Sequence, residues 1–515
     1  MPSFSLKSRV LISLFGNLLR SLLGFATAIV IARGLSPGGY GDLMFLLGSF
    51  TALRSLMDLG SSSAFYTLIA QRRHHPRFFV FYYGWLALQL LLTLSIVALF
   101  APSELFQKIW VGHDLSVVFL AAIASFTQLQ LWPSVGQIAD SERRTMLSQT
   151  SALFTGLAYL VIVTLLLSSG FGRVPTVLWT ITLVYAFSTF ATGAYMLRGR
   201  NSANTEAYVP RLREVVREFV SYCRPLALLA IVAFSYDFAD KWLLQQFAGA
   251  KQQGYFQIAN QIAAVCLIAT TSILSILWKE IAAARMENNH AQVERLYRKS
   301  SRALVFLGAF ISGMLVPWAE VIVRILLGPS YAQAWPVLAL MLLYPVHQSL
   351  GQIGGVTLLA TGQTRTYLWV SASMMLLSIP ISLVLLSPSS GGLIPGLGLG
   401  AIGLASKLVA LNILGTNVQS YAIARQNGWR FDWMFQPIII GLMIASGYLS
   451  WWFGNLVSHP ASLELEALIG PALLSLLLHC VVAGGLLLLA PQLAGMEKHE
   501  LTAFSSRLKK RYSWS

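Results

Sequence analysis

Residues 78–101 read FFVFYYGWLALQLLLTLSIVALFA, twenty-four positions without a charged side chain. Wound as a helix at ~1.5 Å per residue, this stretch measures about 36 Å and crosses a hydrocarbon core of about 30 Å. Similar runs recur from one end of the chain to the other. They predict about fourteen transmembrane helices, at 10–33, 42–68, 78–101, 116–137, 149–168, 175–197, 222–247, 255–278, 303–327, 336–360, 367–386, 399–424, 435–455 and 467–491. Asn17 and Arg20 interrupt the first run and no small-residue cleavage site follows it, so it reads as a span rather than a signal peptide.

Composition agrees with the patterning. Of 515 residues, 56% are hydrophobic and 11% charged, against about 25% charged in soluble domains. Mean hydropathy is +0.65. A soluble enzyme, a disordered tail and a disulfide-framed secreted module are thereby excluded. Cys223, Cys266 and Cys480 stand far apart with no CxxC spacing, so they read as apolar packing residues, and no metal site is expected.

The net charge of +16 sorts by side once the N-terminus is placed in the cytoplasm. Of 36 Lys and Arg, 27 then fall in cytoplasmic segments, five within spans and four outside: Arg33, Lys108, Arg173 and Lys251. This bias predicts a multi-pass protein with both termini cytoplasmic, and nucleic acid is not needed to explain the basic charge. The outer loops are short, the longest being about 102–115. The longest cytoplasmic connection divides the chain into a six-helix lobe (1–198), a linker (199–221), a second six-helix lobe (222–424), a terminal helix pair (425–491) and a basic tail (492–515). In the linker, Leu212, Val215, Val216 and Phe219 share one helical face and predict a short interfacial helix. The tail SSRLKKRYSWS is expected to rest on anionic headgroups.

Two links resemble each other. GLSPGGYGDLMFLLG (34–48) follows the first span and GAKQQGYFQIANQIA (249–263) follows the seventh, aligning Gly34, Gly39 and Tyr40 with Gly249, Gly254 and Tyr255. Both copies run in the same direction, so the expected architecture is an all-α polytopic membrane protein whose six-helix lobes are related by a parallel pseudo-twofold repeat.

At this point the sequence resembles a known family. IARGLSPGGYGDLMFLLGSFTALRSLMDLG (31–60) is similar to the opening of polysaccharide flippases in the multidrug/oligosaccharidyl-lipid/polysaccharide exporter superfamily. FSYDFADKWLLQQFAGAKQQGYFQIANQIA (234–263) resembles the start of that family's second lobe, and LLGPSYAQAWPVLALMLL (326–343) and GLGLGAIGLAS (396–406) follow in order. The resemblance implies translocation of a polyprenyl-diphosphate-linked oligosaccharide across the bacterial inner membrane by alternating access. It implies membrane lipids, a polysaccharide polymerase and a chain-length regulator as partners, and a surface polysaccharide such as O-antigen, capsule or exopolysaccharide as the product. No enzymatic activity or cofactor is expected.

Ionisable groups inside apolar spans are the candidate site. Arg20, Arg54 and Lys407 each lie ten to twelve residues into a span. Each such charge costs about 2.5–3.5 kcal/mol to insert, so all three are expected to face water or protein in a cationic cavity. Arginine grips phosphate oxygens in pairs and lysine adds a point charge, which suits a diphosphate. Arg54 and Asp58, four residues apart, could instead satisfy each other. Asp237 and Lys241 have the same spacing, leaving Asp240 as a candidate helix contact or proton carrier. His347, Gln348 and Gln352 form a candidate polar patch for sugar hydroxyls. Glu320 and Arg324 read as an interfacial pair and His479 as a satisfied core or interface histidine. The glycines 398, 400 and 403 match GxGxxG, but at the mouth of a span, where close packing explains them; neither a P-loop nor HExxH is present. Two alternatives stay open: a cation-coupled small-molecule or drug antiporter of the same superfamily, and a flippase for a peptidoglycan lipid precursor. A membrane polymerase or glycosyltransferase would be expected to carry a larger outer loop.

Overall fold

A computed structural model describes residues 6–71, 76–101, 103–198, 211–224, 227–389, 395–458 and 465–496. The paired histidines 74 and 75, residues 199–210 of the linker and the basic tail from 497 onward lie outside the described residues.

The described chain is helical, without a strand. The helices are α1 (Leu6–Asp58), α2 (Ser61–Gln71), α3 (Pro76–Phe100), α4 (Glu104–Ile109), α5 (Leu115–Phe126), α6 (Trp132–Ser141), α7 (Thr145–Ser168), α8 (Val174–Arg198), α9 (Leu212–Cys223) and α10 (Ala227–Val265). They continue as α11 (Ile268–Met286), α12 (His290–Leu315), α13 (Ala319–Leu327), α14 (Trp335–Met341), α15 (Tyr344–Ala360), α16 (Thr364–Leu386), α17 (Gly400–Asn427), α18 (Phe435–Ser458) and α19 (Leu465–Leu489). The described residues of each span expected from the sequence lie mainly on helix. Ten stretches among the described residues are individually long and apolar enough to cross a membrane. One of them, Phe15–Asp58, has 44 residues and at about 66 Å is long enough for two crossings. The chain is a multi-pass membrane protein.

Prolines account for several of the breaks within spans, though not for the turns at Leu59–Gly60 and Cys266–Leu267. A five-residue π-helical turn, Thr127–Leu131, precedes Pro133. A short 3-10 turn contains Pro317, and Pro345 opens α15. Each proline lacks an N–H and crowds the preceding turn, so the helix widens, tightens or restarts there.

Two compact units emerge: residues 1–258 with 375–401, and residues 259–374 with 402–515. In the first, α1 packs along α7 through glycines. A Cβ added at Gly34 would lie 2.7 Å from Leu167 Cδ1. Because lipid is as apolar as leucine, such small residues let helices gain contact that hydrophobicity alone would not supply. At one end of the unit, Phe65 stacks on Tyr82 with ring centroids 3.7 Å apart, in a cluster with Phe78, Leu86 and Val215. Aromatic pairs add about 0.5–1.5 kcal/mol beyond their burial. The linker helix α9 docks here: Val215 is buried and Phe219 meets Phe78 and Tyr82, while Leu212 and Val216 remain exposed.

The two resembling links are kinks within continuous helices. Ser36 bends α1 (φ 62°, ψ 171°) and Gly249 bends α10 (φ 83°, ψ 170°). Ser36 precedes Pro37, which bars the α region to the residue before it; glycine enters positive φ freely. The bends then meet. A Cβ on Gly41 would lie 1.8 Å from the Ala250 carbonyl oxygen, and one on Gly254 would lie 2.1 Å from that of Pro37. The contact is reciprocal: each glycine follows its own bend by five residues and meets the residue just past the other bend. Its register is therefore 213 residues (Ser36 with Gly249, Gly41 with Gly254), not the 215 that the Gly-Tyr match suggests. Bends and close approaches, rather than the tyrosines, are what repeat.

In the second unit α12 packs against α11, α15 and α18. Gly313 and Gly447 bring α12 and α18 together. His479 bridges Ser446 (2.9 Å) and the Phe310 carbonyl (3.0 Å) while stacking on Phe310, so it is a satisfied core histidine as expected. Glu320 and Arg324 pair at 2.7 Å, both about half exposed.

Candidate functional site

Arg20 lies on the N-terminal arm of α1 with its side chain exposed, and among the described residues it forms no ion pair. Arg54 is half-buried near the end of the second arm, and its Nε is buried without a hydrogen-bond partner there. Asp58 does not satisfy it. The carboxylate instead accepts hydrogen bonds from Ser61 Oγ (2.7 Å), Ser62 N (3.0 Å) and Ser62 Oγ (2.7 Å). The Leu59–Gly60 turn, both residues at positive φ, folds the start of α2 back onto Asp58. Asp58 thus serves as a cap for α2, correcting the alternative in which it neutralises Arg54.

A polar chain extends from this cap into the unit. Ser61 Oγ also accepts from Trp85 Nε1 (3.0 Å) and Gln89 Nε2 (3.4 Å), and Gln89 Oε1 accepts from Gln130 Nε2. Ser61, Gln89 and Gln130 are buried. In apolar surroundings each unmade hydrogen bond costs several kcal/mol, so such a chain fixes α2, α3 and the π-helical turn relative to one another.

The charged residues of α10 meet α1 and α16. Asp240, 8% exposed, accepts a hydrogen bond from Ser382 Oγ at 2.5 Å. Lys241 lays its stem over α1, where a Cβ on Gly48 would be 2.6 Å from its Cδ. Asp237 and Lys241, four residues apart, act on each other through their charges, although no contact within 4 Å joins them among the described residues.

One turn further along, Gln245 Nε2 donates to Asp42 Oδ1 (2.8 Å). His113 Nε2 lies 3.3 Å from the same oxygen, and its Nδ1 faces the Trp110 carbonyl at 2.5 Å. Both ring nitrogens face acceptors, so only the imidazolium can donate to both. Burial pushes the His113 pKa down, but the Asp42 hydrogen bond, the Trp110 carbonyl and nearby negative charge outweigh it, and the net displacement is upward. This cluster borders a cavity of about 380 Å³ that Asp114 and Arg173 also line.

In the second unit Lys407 is 2% exposed on α17. Gln348 and Gln352 line a cavity of about 450 Å³ with α11, α16 and α17. His347 does not join them. One residue along α15 turns it away, and it is buried against Gln436. Among the described residues no group of three His, Cys, Asp or Glu is arranged to hold a metal.

Sequence reasoning missed Asp42, His113, Gln89, Gln130 and Gln245. Asp42 was visible in principle, as the acidic residue directly after a glycine-rich link. The amides were not sought, although a glutamine within an apolar run is itself a signal of internal hydrogen bonding.

The fold has relatives among solved structures. The inward-closed lipid II flippase MurJ aligns with a TM-score of 0.71 at 13% identity, covering 93% of this chain and 99% of that one. An inward-facing multidrug resistance MATE family transporter of the MOP superfamily aligns at 0.60 and 16% identity, covering 79% and 96%. A MOP superfamily transporter from Pyrococcus furiosus aligns at 0.51 and 14%, covering 81% and 94%. At these identities the likeness is one of fold. No curated protein matches the sequence. A family model described as polysaccharide biosynthesis protein, however, matches residues 6–278, just over half of the chain. With that match laid over the arms of α1 and the bend of α10, the chain belongs to the polysaccharide biosynthesis protein family.

Proposed function

We propose that this protein is a flippase that moves polyprenyl-diphosphate-linked oligosaccharide across the bacterial inner membrane for surface polysaccharide assembly, with both termini cytoplasmic. The observation that carries the reading is Arg54, a half-buried guanidinium without an ion pair among the described residues while the carboxylate one turn away is taken up by serines. Arg20 supports it: an exposed guanidinium within an apolar run faces water rather than lipid, because lipid exposure would cost several kcal/mol. Membership in a polysaccharide biosynthesis family and a fold shared with a lipid II flippase support a lipid-linked cargo.

The chemistry follows from charge. A diphosphate headgroup cannot enter hydrocarbon unaided, and a guanidinium at an effective dielectric near 20 attracts a phosphate oxygen at 4 Å by about 4 kcal/mol before desolvation. Several such contacts lower the crossing barrier without trapping the headgroup, while the prenyl tail stays in the bilayer. Transport proceeds by alternation between states of comparable energy, and the cargo shifts their populations only as far as it binds one better than the other.

The test uses proteoliposomes holding a polyprenyl-diphosphate-linked oligosaccharide, with an external glycosidase scoring arrival of the glycan at the outer leaflet. Faster arrival than in protein-free vesicles supports the flippase. No acceleration, together with efflux of a cationic dye down an imposed cation gradient, would establish the antiporter instead.

A further inference from the structure

We propose that the open cavity lined by α11, α15, α16 and α17 is a subsite for neutral sugar residues, distinct from the arginines that attract the diphosphate. The inference rests on the flippase reading and names which part of the cargo this cavity takes.

Charge decides the ligand class. Among the residues lining the cavity there is no Asp, Glu, Lys or Arg, although it lies among membrane-crossing helices. An anion would find no countercharge and a cation no carboxylate. Among its apolar residues the lining carries polar groups: Gln348, Gln352, Asn412 and Gln419 supply amides, and Ser371 and Thr416 supply hydroxyls. A prenyl tail or a sterol-like ligand would bury the Gln348 amide and the remaining amide groups of Asn412 without partners, at about 1–3 kcal/mol each. A sugar matches them. Its hydroxyls donate and accept, as carboxamides do, and it carries no net charge.

The hydrogen-bonding capacity is divided between structure and ligand. Gln419 is used by the protein: its amide satisfies the Gly351 carbonyl at 3.2 Å and the Gly355 N–H at 2.8 Å. Asn412 donates one N–H to the Tyr344 carbonyl at 3.2 Å, which leaves its second N–H and its carbonyl oxygen. Gln348 has no hydrogen-bond partner among the described residues, so both ends of its amide remain for a ligand. Tyr367 and Trp278 add two aromatic rings, on which the C–H face of a pyranose can lie.

Small residues set the width. A Cβ on Gly351 would be 2.8 Å from Thr416 Cγ2, one on Gly354 2.9 Å from Gln419 Cδ, and one on Gly355 3.2 Å from a Tyr367 ring carbon. These glycines let α15 approach α17 and α16 closely, so the polar side chains are held by backbone contact rather than by flexible packing. The volume of about 450 Å³ falls within the ~300–1,000 Å³ of small-molecule sites, room for about one or two sugar rings.

The test compares two cargoes in proteoliposomes: polyprenyl diphosphate bearing one sugar, and the same lipid bearing a neutral oligosaccharide. For Gln348→Leu and Asn412→Leu, the rate on the oligosaccharide divided by the rate on the single sugar should fall about tenfold relative to wild type, the loss of about one or two hydrogen bonds. For Arg54→Ala both rates should fall together. An unchanged ratio in both leucine variants, each monodisperse and incorporated like wild type, would overturn the subsite. If wild type moves neither lipid, the flippase reading fails, and the cavity is then tested directly. With the three native cysteines replaced by serine, Gln348→Cys is labelled with a maleimide in the presence of maltotriose or of inorganic diphosphate. Labelling slowed about tenfold by maltotriose alone supports a neutral-sugar site; equal rates in both, or slowing by diphosphate, overturn it.

Discussion

Asp58 and Arg54 sit one helical turn apart on α1 and do not pair: the Asp58 carboxylate binds Ser61 and Ser62 at 2.7 Å each, leaving the Arg54 guanidinium for something else. Spacing of i,i+4 permits a salt bridge, and local capping outcompetes it because the Leu59–Gly60 turn delivers two hydroxyls and an N–H to the same oxygen. The two residues therefore separate by experiment. Asp58→Asn should lower stability by about 1–3 kcal/mol through weakened bonds to the α2 start, read as a fall in Tm in detergent. Arg54→Gln should leave Tm within a degree or two of wild type, or raise it, and reduce transport. A large loss of Tm in Arg54→Gln would mean that the guanidinium serves the fold.

The crossing of α1 and α10 makes a second prediction. Gly41→Ala and Gly254→Ala each push a methyl into a carbonyl oxygen, at 1.8 and 2.1 Å from where the Cβ must go. Neither neighbour is a flexible side chain, so each substitution should cost about 1–3 kcal/mol or more. Gly38→Ala, with nothing within 4 Å of its added Cβ, is the control and should be silent. Thermal unfolding of the three purified variants checks this.

His113 makes the protein pH-sensitive at the end where α1 bends. Its pKa lies above the ordinary value despite burial, because Asp42 and the Trp110 carbonyl favour the imidazolium. The contact is therefore fully present at pH below the ordinary histidine pKa and is lost as pH rises through the elevated one. Hydrogen exchange in residues 110–118 should accelerate across that rise. Asp42→Asn should move the transition to lower pH, and His113→Ala should abolish it.

Arg20 and Lys407 should respond differently to truncation. Arg20 is exposed, so Arg20→Ala should change stability by less than about 0.5 kcal/mol while slowing transport. Lys407 is 2% exposed, and Lys407→Ala removes a buried stem as well as a charge, so stability and transport should fall together. Paired Tm and transport measurements on both variants separate the two cases.

The sequence was most legible where one physical cause dominated. Runs such as 78–101 could only be membrane helices, and the described residues of the expected spans are mainly helical. Breaks inside spans were harder to see, because Pro133 and Pro345 redirect a helix without changing its hydropathy. The repeat was found through Gly39 and Gly254, but its register was off by two, since a Gly-Tyr match records letters and not the bend at Ser36. Ionisable residues within spans stand out by their cost, but only some of their partners were legible, as with Glu320 and Arg324. Asp58 turned to Ser61 and Ser62, Lys241 to the face of Gly48, and His347 away from Gln348. A partner four residues away is one option among all those that tertiary packing offers, and composition does not rank them. The Asp42–His113 contact joins residues 71 positions apart, beyond any local pattern.

The central claim is that the Arg54 guanidinium serves the cargo rather than the fold. The most direct test measures glycan exposure in proteoliposomes for wild type, Arg54→Lys and Arg54→Ala at equal incorporation and equal Tm. The account predicts accelerated exposure by wild type, partial activity with lysine, which keeps the charge but not the paired donors, and loss of at least about tenfold with alanine. Wild-type rates in Arg54→Ala would contradict it.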